Sequence, residues 1–107
     1  MTFEELRSAA RAMPCQVISD AVAHYFEGVF VKGDLPALVA ILETYFGAPR
    51  KPAGEPTTPE IDKCSGRYGG AETNQTLYVH QKESGIDVAL LWPWTGGERT
   101  TLKLIRG

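Results

Sequence analysis

The sequence lacks the features that define several specialised classes of protein. Among its 107 residues are only two cysteines, Cys15 and Cys64, and no CxxC pair, so it is not a small disulfide-stabilised scaffold. Eleven basic residues against thirteen acidic residues give a net charge of −2, which removes the usual electrostatic argument for a nucleic-acid partner. We therefore expect both thiols to be reduced and the main partner not to be nucleic acid.

Long hydrophobic runs are also missing. The two most apolar stretches, residues 17–31 and 35–46, are both interrupted by charged side chains, whereas a transmembrane helix needs about 20 predominantly apolar residues. Glu4 and Glu5 follow Met1 almost directly, so the start does not have the pattern of a signal peptide. These observations predict a soluble cytoplasmic protein that does not bind membranes.

No motif of a known catalytic or phosphate-binding site occurs. The P-loop, the nucleophile elbow GxSxG, the zinc motif HExxH, the dinucleotide fingerprint and the EF-hand loop are all absent. The soft metal ligands Cys15, His24, Cys64 and His80 are far apart in sequence, whereas zinc sites commonly take their ligands in close pairs. We predict neither a cofactor nor a metal site, and the sequence favours a protein that is not an enzyme.

Composition and length predict one globular domain over residues 1–107. Hydrophobic residues make up 43% of the chain and charged residues 22%, values typical of globular proteins. Three segments differ in pattern: residues 1–47 have helical periodicity, residues 48–65 contain four of the seven prolines, and residues 66–107 alternate like strands. The proline-rich segment is expected to be a surface linker, because prolines at this spacing exclude a helix or a central strand.

Two helices in the first segment are predicted from their caps. Thr2 and Glu5 have the spacing of a capping box, which predicts a short first helix that runs to about residue 12. Asp34 is a suitable N-cap for a later, longer helix, which Gly47 would end.

Between these two helices the spacing of apolar residues predicts another long helix. Pro14 suits its first turn, and apolar side chains then recur at helical spacing at Ile18, Val22, Tyr25, Phe26 and Val29. Either Gly28 or Gly33 would end this helix. The two long helices would then form an antiparallel hairpin.

The last segment predicts three antiparallel strands, with a fourth short strand near residues 67–71. A turn at Glu83-Ser84 would place His80 opposite Asp87. An even loop at Gly96-Gly97 would turn the leucines of the last strand away from Leu90, so an odd loop is predicted. The expected fold class is α+β, in which two long N-terminal helices and a short first helix pack on one face of a three- to four-stranded meander.

We predict that the binding surface includes the tryptophan pair of Trp92-Pro93-Trp94 and the sheet face opposite the helices. Trp is enriched at protein-contact anchors, and an apolar sheet face with a charged rim is typical of an interaction surface. The predicted binding residues are Tyr78, His80, Asp87, Leu91, Trp92, Trp94, Lys103 and Ile105.

These residues predict a protein-interaction module that binds itself, as a homodimer, or another protein. One alternative is a small-molecule-binding or weakly catalytic domain with a pocket between the helices and the sheet. Another is a weak nucleic-acid binder, because Arg99, Lys103 and Arg106 give the last strand a basic edge.

Overall fold

A computed structural model describes residues 1–54 and 74–107 of the chain. The described residues form two helices and five strands in the order α1 (Phe3–Ala12), β1 (Gln16–Val22), β2 (Tyr25–Val31), α2 (Leu35–Phe46), β3 (Thr76–Lys82), β4 (Gly85–Pro93) and β5 (Arg99–Ile105). A 3-10 turn over Lys32–Asp34 leads directly into α2. All strands belong to one antiparallel sheet in the order β1-β2-β5-β4-β3. No helix of the described ranges is long and apolar enough to cross a membrane.

The α+β class with an antiparallel sheet is present, but the predicted architecture of two long N-terminal helices on a three- to four-stranded meander is wrong. Residues 16–31 form the hairpin of β1 and β2 instead of a helix, and Val22 pairs with Tyr25 across a turn at Ala23-His24. This segment is rich in β-branched and aromatic side chains, which pack well on a pleated surface. The sheet therefore gains two strands, and the N-terminal part contributes one short helix and α2.

The predicted capping box of α1 and the predicted end of α2 at Gly47 are both present, whereas the Asp34 side chain at the start of α2 makes no capping hydrogen bond. The Thr2 side chain accepts a hydrogen bond from the Glu5 N–H at 3.1 Å, and the Glu5 carboxylate accepts one from the Thr2 N–H at 3.0 Å. The helix α2 ends at Gly47, which has a positive φ of 78°, a conformation that favours glycine. In addition, an Arg7–Asp20 ion pair of 2.6 Å joins α1 to the edge strand β1.

The register of the first C-terminal hairpin matches the prediction, whereas that of the second does not. His80 pairs with Asp87 across β3 and β4, with two residues in the turn. Across β4 and β5, Leu91 pairs with Leu102 and Leu90 with Lys103, so the loop is even. The predicted odd loop is therefore wrong.

Apolar side chains are buried on both faces of the sheet. The helix-side core, beneath α1 and α2, consists of Phe3, Leu6, Ala10, Phe26, Phe30, Leu38, Leu42, Tyr78, Ala89, Leu91, Leu102 and Leu104. The outer cluster, on the opposite face, consists of Leu77, Val88, Leu90 and Ile105. A Cβ at Gly28 would lie 3.1 Å from the Phe26 ring, so glycine here makes room for two neighbouring phenylalanine rings of the helix-side core.

Part of the predicted surface linker is paired with the sheet. Lys51 forms an isolated antiparallel bridge with Leu77, and its Nζ donates a hydrogen bond of 2.6 Å to the Gln75 carbonyl. Lys51 is only 2% exposed, and its ammonium also lies 3.3 Å from the Pro52 carbonyl, to which it donates. The rest of the linker from residue 55, and the short strand predicted near residues 67–71, lie outside the described residues.

Candidate functional site

Three of the predicted binding residues are buried and do not share a surface. Tyr78 and Leu91 belong to the helix-side core, and Ile105 belongs to the outer cluster on the other face. The even loop between β4 and β5 causes this separation, because it turns Ile105 to the face opposite Leu91. The expected exposed apolar face formed by these three side chains is absent.

The two tryptophans remain prominently exposed. Trp92 and Trp94 are each 45% exposed and lie at the end of β4, where Pro93 is the last strand residue. The Trp94 Nε1 donates a hydrogen bond of 2.8 Å to the Thr101 Oγ1 on β5. Trp92 is the cross-strand partner of the same threonine. Thr101 therefore holds one indole and lies beside the other, so the rings occupy defined positions on the outer face.

An open cleft of about 530 Å³ lies at the tryptophan pair. Its lining consists of Asn74, Trp92, Pro93, Trp94, Thr95 and Thr101, and we call it the tryptophan cleft. The lining combines two indole rings and a proline with the amide of Asn74 and the hydroxyl groups of Thr95 and Thr101. Such a surface can make both apolar contacts and directed hydrogen bonds.

Basic side chains lie next to the tryptophan cleft. The Lys103 Nζ lies 5.5 Å from the centre of the Trp92 ring, within the range of a cation–π interaction. Arg99 flanks Trp94, whose backbone N–H donates to the Arg99 carbonyl at 2.9 Å. Within the described part of the chain, neither Lys103 nor Arg99 forms an ion pair. Two cationic side chains therefore lie at the edge of the cleft, with Glu27 opposite Lys103 and Glu98 next to Arg99.

A second, smaller cavity lies on the helix side of the same sheet end. It measures about 240 Å³ and is lined by Leu35, Val39, Ala53, Asn74, Thr76, Leu91, Pro93 and Thr100; we call it the apolar pocket. Two of these residues, Asn74 and Pro93, also line the tryptophan cleft. The two cavities thus meet at the end of β4.

His80 and Asp87, the other predicted binding pair, lie at the opposite end of β4. Asp87 is fully buried, and its Oδ1 is 2.8 Å from the Lys82 Nζ and accepts a hydrogen bond of 3.0 Å from the Gly107 N–H. The Tyr45 hydroxyl donates to Oδ2. The carboxylate therefore ties together α2, β3, β4 and the segment after β5.

The charged form of Asp87 is the favoured one. Burial by itself raises the pKa of this carboxyl, but the hydrogen bonds from Lys82, Tyr45 and Gly107 outweigh it and hold the pKa below its ordinary value. Conversely, burial and the Asp87 carboxylate raise the pKa of the Tyr45 phenol, so the phenol keeps its proton and donates. Because neither cavity is lined by Asp87, we assign this cluster a structural role.

The charge of Asp87 makes the stability of the fold sensitive to acid. A carboxylate whose pKa is lowered by folding stabilises the fold above its unfolded pKa of about 3.9, and this contribution is lost as the pH falls through the folded-state pKa. We expect urea denaturation to show falling stability below about pH 4, with a weaker fall in Asp87→Asn. Equal pH dependence of the two proteins would show that the Asp87 charge does not contribute.

His80 does not bond to Asp87 although their backbones pair. Its ring packs on Tyr45 instead, with 4.9 Å between the ring centroids, and the oxygens of Asp87 accept from Lys82, Tyr45 and Gly107. The register thus brings the two residues together as predicted, but a histidine–carboxylate pair is not formed.

Residues 1–54 and 74–107 contain no cluster of three or more histidine, cysteine or acidic side chains that could hold a metal ion. Cys15 is a free thiol that packs at the edge of the helix-side core. Burial raises the pKa of this thiol, which disfavours the reactive thiolate. Cys64, the other potential sulfur ligand, lies outside the described residues.

Several residues of the two cavities were not predicted from the sequence. Thr101 and Asn74 reach the tryptophan cleft only through strand register and chain reversal, and Leu35 and Val39 reach the apolar pocket through the packing of α2. The one available signal was the alternation in β5, which places Thr101 opposite Trp92 once the loop is even.

A scan against protein-family models, a search of the curated proteins and a search of the solved structures each find no match to this chain. Neither a family nor a structural neighbour therefore supplies a function. The geometry of the tryptophan cleft and the apolar pocket is the basis for the proposals that follow.

Proposed function

We propose that this chain is a protein-interaction module that binds an extended segment of another protein in the tryptophan cleft. The observation that carries the proposal is the pair of tryptophans, each 45% exposed, on a cleft of about 530 Å³. Tryptophan is among the residues that contribute most to binding energy at protein interfaces. Large exposed aromatic surfaces beside one another are otherwise unfavourable in water.

The polar groups of the tryptophan cleft suit a peptide backbone. The Trp92 indole N–H has no acceptor among the described residues, whereas that of Trp94 is used by Thr101. The Asn74 amide adds a donor and an acceptor to the lining. Extended peptides expose their carbonyl and N–H groups, and aromatic-lined grooves recognise them through such donors.

A protein partner fits the charges better than a nucleic acid does. Single-stranded nucleic acid also stacks on aromatic rings, but it requires a basic groove that follows the phosphates. Here the two basic residues next to the cleft, Lys103 and Arg99, are accompanied by Glu27 opposite Lys103 and by Glu98 before Arg99. The net charge of −2 adds a general repulsion of polyanions.

The proposal is tested by selecting phage-displayed random dodecapeptides on the immobilised full chain and measuring the affinity of the enriched peptides by fluorescence anisotropy. Trp92→Ala and Trp94→Ala are each expected to weaken binding by about 10- to 30-fold, because truncating a hot-spot residue costs about 2 kcal/mol. Ile18→Ala, which also removes an exposed apolar side chain but on β1 at the far edge of the sheet, is expected to leave affinity unchanged.

Three results would contradict the proposal. One is the absence of any enriched sequence, and another is equal binding to wild type and to the Trp92→Ala, Trp94→Ala double variant. The third is a concentration-dependent dimer, detected by light scattering, that Trp92→Ala dissociates, because the occupant of the cleft would then be a second copy. Because both indoles are half-exposed, the variants should retain the far-UV circular dichroism of the wild type.

A further inference from the structure

We infer that the apolar pocket accepts one large apolar side chain of the peptide that the tryptophan cleft binds, and that this peptide carries acidic residues beside the cleft. The inference rests on the proposed function and specifies its ligand. It starts from the position of the pocket, which shares Asn74 and Pro93 with the cleft. A chain that leaves the cleft across Pro93 thus reaches the mouth of the pocket.

The volume of the apolar pocket matches one side chain. Small-molecule sites usually measure about 300–1,000 Å³, more than the 240 Å³ found here. An apolar cavity of about 150 Å³ is enough to hold benzene, so this pocket has room for a leucine, isoleucine, methionine or phenylalanine side chain. The size of the apolar pocket therefore favours a single side chain over the predicted alternative, a small molecule bound between the helices and the sheet.

The lining of the apolar pocket also selects an apolar occupant. Leu35 and Val39 from α2 face Leu91 on β4, and Ala53 and Pro93 add further apolar surface. Polar groups are confined to Asn74 and two threonines, at positions 76 and 100. A large aliphatic or aromatic side chain that enters would bury apolar area against these residues, and such burial is the main source of free energy at anchor positions.

The geometry of an extended chain explains how one peptide could use both cavities. Successive side chains of an extended segment point to opposite sides, and the cleft and the pocket lie on opposite sides of the end of β4. A peptide that crosses this end can therefore direct one residue toward Trp92 and a neighbouring one toward Leu91. The two cavities then act as one binding site with two distinct requirements.

Charge at the tryptophan cleft defines the rest of the ligand. Lys103 and Arg99 form no ion pair within the described residues, and the Lys103 ammonium is held at the Trp92 ring. A single aspartate or glutamate of the peptide beside Lys103 or Arg99 would complement that cation, whereas the neighbouring Glu27 and Glu98 disfavour a continuous run of negative charge. The ligand is therefore an extended segment with one bulky apolar anchor and one or two acidic residues near it.

The inference is tested with the random dodecapeptide library and a variant that fills the apolar pocket. Sequences selected by the wild type should share one position restricted to Leu, Ile, Met or Phe, with Asp or Glu enriched nearby. Val39→Phe places a ring inside the pocket and is expected to weaken binding of these peptides by about 10-fold or more. Ala37→Phe places the same ring on the exposed side of α2 and serves as the matched control, with unchanged affinity.

A second variant covers the case in which Val39→Phe does not fold. Val39→Ala enlarges the pocket and is expected to shift the selected anchor from Leu toward Phe and Trp. If the anchor position tolerates polar residues, or if both Val39 variants bind as the wild type does, the pocket is not the anchor site. That result leaves the proposed function intact when Trp92→Ala still weakens binding, whereas binding unaffected by Trp92→Ala overturns both.

Discussion

Replacing Asp87 with alanine is expected to lower the free energy of unfolding by about 3 kcal/mol, near the lower end of the cost of removing one partner from a buried ion pair. The substitution leaves the Tyr45 hydroxyl and the Lys82 ammonium without their acceptor and opens a gap in a fully buried site. A loss near the lower end of this range is expected because the Lys82 side chain is 25% exposed, so its ammonium can be hydrated once the carboxylate is removed. Urea denaturation followed by far-UV circular dichroism measures the effect.

The control for Asp87→Ala is an ion pair of the same type at the surface. Glu4 pairs with Arg106 at 3.2 Å, and both side chains are about half exposed. Glu4→Ala is therefore expected to cost less than about 0.5 kcal/mol, as is common for surface pairs. A loss for Asp87→Ala as small as that for Glu4→Ala would contradict the structural role assigned to the buried carboxylate.

Replacing Phe30 with alanine is expected to cost about 4 kcal/mol, because the ring is fully buried between the sheet and the helices and its removal leaves a cavity. The adjacent residue provides the comparison. Val31 is 43% exposed on the outer face, so Val31→Ala should cost less than about 1 kcal/mol. The same urea denaturation experiment measures both variants.

This pair of variants also tests the conformation of the N-terminal part of the chain. In a strand, neighbouring side chains point to opposite faces, so a large effect at Phe30 beside a small one at Val31 is the signature of β2. Comparable losses at both positions would indicate that both side chains are buried. Such a result would contradict the observed hairpin of β1 and β2.

The two helices that could be predicted from the sequence have a recognisable capping residue at one end. The capping box of Thr2 and Glu5 defines α1, and the glycine at position 47 defines the end of α2. In residues 16–31 the expected helix ends, Pro14 and either Gly28 or Gly33, include no capping side chain, so the interpretation depended on the spacing of the apolar residues. That spacing favoured a helix. The strand β2 instead pairs with β5, and the paired residues lie 68 to 80 positions apart in sequence. Pairing over such a distance cannot be recognised from a local pattern.

The register of β4 and β5 was unpredictable for a different reason. The prediction of an odd loop assumed that only one face of the sheet is buried, so that all leucines must share it. In fact β4 is buried on both faces, with Leu90 in the outer cluster and Leu91 in the helix-side core. Central strands of this kind have continuous apolar runs, and such a run does not indicate which residue faces which layer.

The part of the candidate site that has an unusual local sequence could be predicted. The part that is assembled from distant segments of the chain could not. The two tryptophans are separated by a single proline, which makes them conspicuous in the sequence. Asn74 and the pocket-lining residues of α2 are ordinary in composition and become part of the site only through the tertiary fold. In the same way, Tyr45 reaches Asp87 from 42 positions away.

Because both tryptophans lie in one cleft, the intrinsic fluorescence of the protein reports on that cleft. Trp92 and Trp94 are the only two indoles in the chain, and both line the same cavity. Their ultraviolet emission therefore originates at the candidate site and not in the helix-side core. A ligand that displaces water from these rings would change the wavelength and the intensity of the emission. Binding in the tryptophan cleft can therefore be followed without a label.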